Sequence, residues 1–322
     1  MAELNKTNTG NIKSNLHPRN KNRGQYNFIA LIKACPELNH HVNKNQFGNL
    51  SINYFDPLAV KILNKSLLKY LYQIDWDIPD GFLTPPIPGR SDYIHYLADL
   101  LVSSNLKSKP INNSNINFLD IGTGSNCIYP IIGVSEYGWS CVASDISSTS
   151  IKHAQSIIDA NPSLHKKIEL RQQPTSKHYF NNIIQDNEYF DFSMSNPPFF
   201  ASLIEANQAN SKKQKNLTKD QGKKTNFNFG GNSDELWCKG GELQFIKQLI
   251  QESYLYQSSC FWFTTLVSKK ENIKSIEFEL QKHHPTEVKL IEMSQGHKSS
   301  RIIAWTFLNK KQKDIWRQSR WL

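Results

Sequence analysis

Ile116-Asn117-Phe118-Leu119-Asp120-Ile121-Gly122-Thr123-Gly124-Ser125-Asn126 joins an apolar run to a glycine-rich turn. The mostly apolar residues 127–134 follow, so the segment predicts a strand, a tight loop and a helix. Glycine permits the tight turn and lets the backbone approach a ligand closely. In an open α/β sheet, ligands lie at the carboxyl ends of the strands. We therefore expect a nucleotide-type binding loop at Gly122 and Gly124, where Asp120 either fixes the loop or meets an amino group of the ligand.

A second strand, predicted over residues 139–144, ends at Asp145, about twenty residues past the glycines. A carboxylate at that distance suits the ribose hydroxyls of an adenosyl ligand. Two ordinary alternatives stay open, because Gly-X-Gly also marks plain turns and Asp145 is also a good helix N-cap. The dinucleotide fingerprint is incomplete, since Ile128 stands where that pattern has Gly or Ala, and the Walker Gly-Lys-Ser/Thr sequence is absent. The pattern therefore argues against NAD, FAD and a P-loop.

Asn196-Pro197-Pro198-Phe199 follows the apolar residues 189–195 and suits methyl transfer to a planar amine. Such an amine attacks poorly unless its nitrogen moves toward tetrahedral geometry. The side-chain carbonyl of Asn196 and the backbone carbonyl of Pro197 can each accept one N–H, while consecutive prolines keep the main chain stiff. Phe199 would stack on the base, and attack on a sulfonium methyl needs no prior deprotonation. The segment favours adenine-N6 methylation, the alternative being a strand followed by a proline-rich turn.

Five further segments complete a characteristic set: HPRN at 17–20, WDIP at 76–79, PPIPGRSDYIH at 85–95, ELWC at 235–238 and GGE at 240–242. With the glycine loop and Asn196–Phe199, in this order, the chain resembles the bacterial 23S rRNA adenine-N6 methyltransferases of the RlmF family. That family is related to the eukaryotic methyltransferase-like RNA adenine-N6 enzymes. The resemblance runs from His17 to about Leu308. Residues 207–228 depart from it, because they are unusually rich in Lys and Asn.

The resemblance implies a class I methyltransferase: a doubly wound, Rossmann-like α/β fold with seven strands and S-adenosylmethionine as cofactor. It implies that the last two strands are antiparallel, with residues 301–307 inserted beside the fifth strand. The expected cofactor contacts are Arg90, Gly122 and Asp145, with Asp120, Gly124 and Asn126 as further candidates. The expected catalytic loop is Asn196, Pro197, Pro198 and Phe199, and no metal is expected.

The chain divides into three expected parts. Residues 1–25 are polar and basic and are predicted to form a flexible tail. Residues 26–110 are predicted to form a helical accessory or RNA-binding segment, with helices near 28–34 and 57–71, the second capped by Asp56 with Pro57 at its first position. Residues 111–310 form the methyltransferase domain, in which 205–235 is a flexible substrate-side loop. Strands are expected near 116–121, 139–144, 167–172, 189–195, 260–266, 287–292 and 301–307.

Composition constrains the partners and the compartment. The formal net charge is +10 and the pI is about 9.2, which favours a polyanionic partner. The five cysteines are scattered and lack Cys-x-x-Cys spacing, so the sequence predicts neither a disulfide framework nor a zinc site. An apolar run of membrane-spanning length and a secretory signal are both missing, so a cytoplasmic location is expected. The protein is also expected to be a monomer.

The expected substrate is 23S ribosomal RNA, either naked or in a large-subunit assembly particle. Three alternatives remain: a protein glutamine-N5 methyltransferase, whose planar amide suits the same motif; a DNA adenine-N6 methyltransferase; and a non-catalytic RNA-binding protein of this fold. Incorporation of methyl groups into RNA, DNA or protein distinguishes them.

Overall fold

The computed structural model describes residue 13, residues 15–105, residue 111 and residues 113–202, 204–205, 237–295 and 298–321. Eight α-helices are described in these ranges, namely α1 (Phe28–Ala34), α2 (Pro57–Tyr72), α3 (Ile87–Ser104), α4 (Ile128–Tyr137), α5 (Ser148–Asp159), α6 (Gly241–Leu255), α7 (Ile273–Lys282) and α8 (Lys310–Trp316). Nine strands are described, namely β1 (Val42–Lys44), β2 (Leu50–Ile52), β3 (Asn117–Ile121), β4 (Ser140–Asp145), β5 (Ile168–Gln172), β6 (Phe190–Ser195), β7 (Cys260–Val267), β8 (Glu287–Gln295) and β9 (Lys298–Thr306).

Seven strands form one sheet in the order β5-β4-β3-β6-β7-β9-β8. The first five of these run parallel to one another, while β9 runs antiparallel to both β7 and β8. The chain proceeds from β3 outward to β5 and then returns to the other side of β3, so the topological switch point lies between β3 and β6. Ligands of doubly wound sheets bind outside the strand ends at that point. The seven predicted strands and the antiparallel insertion are confirmed.

Both faces of this sheet are covered, as side-chain alternation along the strands requires. Phe118 of β3 and Phe192 of β6 stack at 5.0 Å on the face covered by α3, α4 and α5. Leu119 of β3 points to the other face, which contacts α6 and α7. Parallel strands buried on both sides read as continuous apolar runs, and residues 190–195 are buried throughout.

Helix α3 belongs to the core of the sheet. The Tyr93 hydroxyl lies 2.8 Å from the Thr264 hydroxyl of β7, and the Trp262 indole N–H donates to the Ser104 hydroxyl at 2.8 Å. A smaller core, with Phe28 of α1 and Leu63 of α2, forms separately. The residues preceding 110 therefore supply both an accessory cluster and one helix of the main domain.

Helix α2 starts as the sequence predicts. The Asp56 carboxylate accepts the Leu58 backbone N–H at 3.0 Å, and Pro57 is the first helical residue. Helix α3 begins at Ile87, so Pro88 and Arg90 lie in its first turn. Proline is tolerated there because the N–H groups of a first turn have no partner within the helix.

Residues 16–22 are folded onto the domain beside α3, and the flexible tail predicted for residues 1–25 is wrong for them. His17, Asn20 and Asn22 are buried. The His17 backbone N–H donates to the Asp92 carboxylate at 3.0 Å, and the Asn20 side-chain amide donates to the same carboxylate. These polar side chains can be buried because they are hydrogen-bonded. Their burial was not predicted, because the segment has no apolar pattern. Residues 1–12 and 14 lie outside the described residues.

The surplus of Lys and Arg over acidic residues in the predicted tail, residues 1–25, lies after residue 12. Residues 1–12 contain one Lys and one Glu, so their formal side-chain charge is zero. Arg19 pairs with Asp99 at 2.6 Å, and Lys21 pairs with Glu136 of α4 at 3.2 Å. These two cations are therefore matched by acids of the folded domain.

The carboxyl-terminal residues lie at the opposite edge of the sheet from the strand ends that face a ligand. The fully buried Asp191, at the start of β6, accepts the indole N–H of Trp316 at 2.8 Å and of Trp321 at 2.7 Å. It also accepts two N–H groups of Arg320, at 3.1 and 3.0 Å, and the Asn117 backbone N–H at 2.8 Å. This carboxylate fixes α8 and the following π-helical turn (Arg317–Trp321) beneath the sheet.

All five cysteines are free, and four of them are buried. Among the helices of the described ranges, none combines the length and apolar character needed to cross a membrane.

Candidate active site

The predicted glycine loop lies at the carboxyl end of β3. Gly122 and Gly124 adopt φ angles of 77° and 65°, a left-handed backbone that favours glycine. The N–H groups of Gly122 and Thr123 both donate to the Ser144 carbonyl of β4 at 2.9 Å. A Cβ atom added to Gly122 would meet no atom of the described residues within 4 Å. The loop is therefore fixed against β4 and keeps an open side.

Asp120 is buried directly beneath this loop. Among the described residues, neither of its carboxylate oxygens has a hydrogen-bond partner, and the nearby Thr123 hydroxyl lies outside hydrogen-bonding geometry. Burial raises the pKa of Asp120 to about 7; the Asp145 charge adds to the rise, while Thr123 and Arg90 oppose it. A buried acceptor without a donor is costly, so the geometry suits a ligand that brings one. An ammonium group fits this position.

Asp145, at the end of β4, holds the glycine loop. Its carboxylate accepts the Gly124 backbone N–H at 2.8 Å and the Ser147 backbone N–H at 2.8 Å. The N-cap of α5 is Ser147, whose hydroxyl accepts the Ser150 N–H at 3.2 Å. The N-cap alternative for Asp145 is therefore wrong, and its carboxylate stays at the strand end, where a ribose is expected.

Asn126 supports the loop from below. Its side-chain carbonyl accepts the Ile128 N–H at 3.1 Å, at the start of α4, and its backbone carbonyl accepts the indole N–H of buried Trp76 at 2.9 Å. Trp76 belongs to the WDIP segment, which the structure thus places against the glycine loop. Asn126 shapes the site through the backbone.

Asn196-Pro197-Pro198-Phe199 leaves the sheet at the end of β6, the strand adjacent to β3. The preceding residue is anchored, because the Ser195 hydroxyl donates to the Thr265 hydroxyl at 2.8 Å. Pro197 is buried, whereas Asn196 and Phe199 are half-buried. The structure therefore brings this segment and the glycine loop to the same edge of neighbouring strands.

The chain after Phe199 is held by a second contact. Phe200 pairs with Trp237 in an isolated parallel bridge, and its carbonyl accepts the Cys238 N–H at 3.1 Å. Helix α6 then begins at Gly241, and buried Glu242 accepts the Ser268 backbone N–H at 2.6 Å. The predicted loop at 205–235 lies outside the described residues apart from residue 205.

Arg90 connects the two halves of the site. Its Nη1 donates to the Tyr129 hydroxyl at 2.7 Å. The guanidinium also faces the Asn196 side chain, and because a guanidinium only donates, the amide oxygen lies on that side. Asn196 Oδ1 then accepts from Nη1 at 2.9 Å and from Nη2 at 3.2 Å. Arg90, Asp120 and Asn196 form one cluster.

Two further residues beside this cluster, Tyr129 and Thr123, were not predicted from the sequence. Tyr129 is buried in α4, and burial raises the pKa of its phenol while Arg90 opposes the rise. Thr123 is buried between the two glycines. The position of Tyr129, in the first turn of the helix that directly follows the glycine loop, is the one signal that could have identified it.

The model of an RNA methyltransferase family matches residues 10–309. The ribosomal RNA large subunit methyltransferase F of Flavobacterium johnsoniae is 53% identical over 308 residues, which are 95% of this chain and 97% of that protein. The protein of the same name from Photobacterium profundum is 48% identical over 326 residues, 96% of each chain.

Two solved structures are similar to the whole fold. The hMettl16 catalytic domain in complex with MAT2A 3'UTR hairpin 6 superposes with a TM-score of 0.74 at 28% identity, covering 92% of this chain and 98% of that one. The N-terminal domain of human METTL16 in complex with SAH gives 0.71 at 27% identity, covering 91% and 99%. The fold is thus that of the class I methyltransferases.

Proposed function

The chain belongs to the RNA methyltransferase family whose model spans residues 10–309, and from that premise we propose that it methylates the N6 amine of an adenine in 23S ribosomal RNA. It is an RNA methyltransferase with S-adenosylmethionine as methyl donor. Relatives named ribosomal RNA large subunit methyltransferase F, aligned over nearly their full length, support ribosomal RNA as the substrate.

One observation carries the proposal for adenine N6. The Asn-Pro-Pro-Phe segment leaves β6 beside the glycine loop, so a base at Asn196 and a cofactor at Gly122 would share one edge of the sheet. Asn196 presents a carbonyl and Pro197 a second one, matching the two N–H groups of an exocyclic amine. A half-buried Phe199 supplies a face for stacking the base.

The residues around the glycine loop fit S-adenosylmethionine. Its amino acid part is a zwitterion, and the site offers Asp120, with unused carboxylate oxygens, for the ammonium and the Arg90 guanidinium for the carboxylate. Asp145 lies at the end of β4, where ribose hydroxyls are bound in such folds. The left-handed Gly122 and Gly124 leave room for close approach of the ligand.

The bound cofactor supplies an electrophilic sulfonium methyl. The work of the chain is then to hold and orient the amine. The adenine leaves its stack and enters the loop, where Asn196 and Pro197 accept its N–H groups and Phe199 covers its face. The two carbonyls favour a tetrahedral nitrogen, whose lone pair points at the methyl. The proton departs after transfer, so no basic side chain is needed before attack.

The test is transfer of labelled methyl from S-adenosylmethionine to unmodified ribosomal RNA, followed by digestion to nucleosides. We expect N6-methyladenosine from the native protein and a loss of at least about a hundredfold in Asn196→Ala, as for removal of one group that stabilises developing charge. Asn49→Ala is the matched control, because Asn49 is exposed in the turn between β1 and β2.

The outcomes separate the alternatives. Label in DNA or in protein glutamine would replace RNA as the substrate. Product that persists in Asn196→Ala would remove the catalytic loop from the mechanism. Labelling of a large-subunit assembly particle, with none of naked RNA, would identify the particle as the substrate form.

A further inference from the structure

The side chains of Arg90 and Asn196 are hydrogen-bonded to each other. Asn196 Oδ1 accepts two hydrogen bonds from one guanidinium, at 2.9 and 3.2 Å. A carbonyl oxygen has two lone-pair directions, and both face the same cation. The oxygen that would accept an adenine N–H is therefore occupied.

The same guanidinium acts on Asp120, because the Arg90 charge lowers the pKa of that carboxyl. Neither Asp120 oxygen has a hydrogen-bond partner among the described residues. An amino acid group seated with its ammonium on Asp120 brings its carboxylate within reach of Arg90. A guanidinium binds a carboxylate by two charge-assisted bonds, which are roughly twice as strong as bonds to a neutral acceptor. The carboxylate is thus the stronger competitor for Arg90.

We propose that Arg90 couples cofactor binding to the catalytic loop: the cofactor carboxylate withdraws the guanidinium from Asn196 and frees Oδ1 to accept the adenine amine. This inference rests on the proposed roles of both residues. Tyr129 of α4 holds the guanidinium in place while its other partner changes, because the buried Tyr129 hydroxyl accepts a hydrogen bond from Arg90 Nη1 at 2.7 Å. This coupling implies that the cofactor binds before the adenine, since Asn196 Oδ1 becomes available only when the methyl donor is present.

The coupling is reciprocal, so it can be measured without RNA or turnover. Breaking the Arg90–Asn196 contact must strengthen binding of any ligand that needs Arg90. The probes are S-adenosylhomocysteine, which carries the carboxylate, and methylthioadenosine, which lacks the amino acid part. Calorimetric titration of each variant with both probes reports the competition directly.

Asn196→Ala removes the competing acceptor. We expect its affinity for S-adenosylhomocysteine to rise about 2- to 10-fold, the equilibrium equivalent of one net hydrogen bond. Asn196→Asp places a carboxylate in the same position and should weaken that affinity by about tenfold or more. Methylthioadenosine should bind both variants and the native protein equally. Asn49→Ala serves as the unaffected control.

Arg90→Ala completes the cycle. It should weaken S-adenosylhomocysteine but leave methylthioadenosine unchanged, and the further change Asn196→Ala should then have no effect. Equal binding of methylthioadenosine shows that the variant is folded. The proposal is overturned if Asn196→Ala leaves S-adenosylhomocysteine unchanged or weaker, or if both probes change alike. Neither outcome bears on which amine is methylated, so the proposed function is tested separately.

Discussion

Asp191→Asn should destabilise the protein without touching the active site. Asp191 accepts five N–H groups from Asn117, Trp316, Arg320 and Trp321, and it is fully buried. The substitution turns one acceptor oxygen into a donor that faces other donors. It also removes the negative charge of residue 191, so the partly buried Arg320 loses its ion pair with that residue.

The expected magnitude follows from this geometry. Removing one partner of a buried ion pair costs about 3–5 kcal/mol, because the remaining groups stay desolvated. For a domain of this size, with an unfolding entropy of about 2 cal/mol/K per residue, the loss corresponds to a fall in Tm of about 5–8 °C. Most of the effect should appear as a weaker hold on α8 and the π-helical turn.

The assay is urea unfolding followed by tryptophan fluorescence, since Trp316 and Trp321 contact the mutated carboxyl. Asp75→Asn is the matched control: its carboxylate lies 2.7 Å from Lys69, but both side chains are exposed, so the loss should stay below about 1 kcal/mol. Asp191→Asn should still bind S-adenosylhomocysteine, because the opposite end of β6 carries Asn196. A loss within about 1 kcal/mol for both variants would refute the reasoning that burial makes this carboxylate important.

Asp120→Asn should stabilise the cofactor-free protein at neutral pH. The Asp120 carboxyl has a pKa of about 7 in the folded protein, against an ordinary value of 3.8. The free energy of unfolding of the native protein therefore falls as pH rises from about 4 to 7, and the variant lacks this fall. Urea unfolding should show the variant to be more stable by up to about 4 kcal/mol at pH 8 and equally stable at pH 3. Gly122→Ala should weaken S-adenosylhomocysteine binding in calorimetry. Gly81→Ala is the control, because Gly81 has a similar φ and equally open surroundings. It should cost the same backbone strain of about 1 kcal/mol and leave binding unchanged. Asn20→Ala should lower unfolding stability by about 1–3 kcal/mol, because Asp92 and the Pro88 carbonyl each lose a donor; a loss under about 0.5 kcal/mol would show that this contact is not structural.

The strands were predictable because each contains recurring apolar residues between turns. The first five of the large sheet begin within one residue of their predicted starts. The last pair extends further, with β8 reaching Gln295 and β9 starting at Lys298. Apart from Met293, those added residues are polar and pair through the backbone, which hydropathy does not register.

The placement of the candidate site residues at strand ends was predictable where one segment contains a whole feature, as at Gly122–Gly124 and Asn196–Phe199. It was not predictable where the feature depends on contacts between distant segments. The role of Asp145 was ambiguous because Ser147, two residues later, is an equally good N-cap. The contact between Arg90 and Asn196 joins α3 to the end of β6, and no spacing in the sequence announces it.

The packed amino-terminal residues bear on the same contact. His17 and Asn20 both bind Asp92, which lies two residues after Arg90 in α3. Asn20 also donates to the Pro88 carbonyl at 2.8 Å, two residues before Arg90. The first turn of α3 is therefore held on both sides of the arginine by a segment distant in sequence. In these contacts α3 supplies the acceptors, a carboxylate and a carbonyl, and the amino-terminal segment supplies the donors. The HPRN and PPIPGRSDYIH segments thus act as one unit that positions the guanidinium, and a change in the first should alter cofactor affinity through the second.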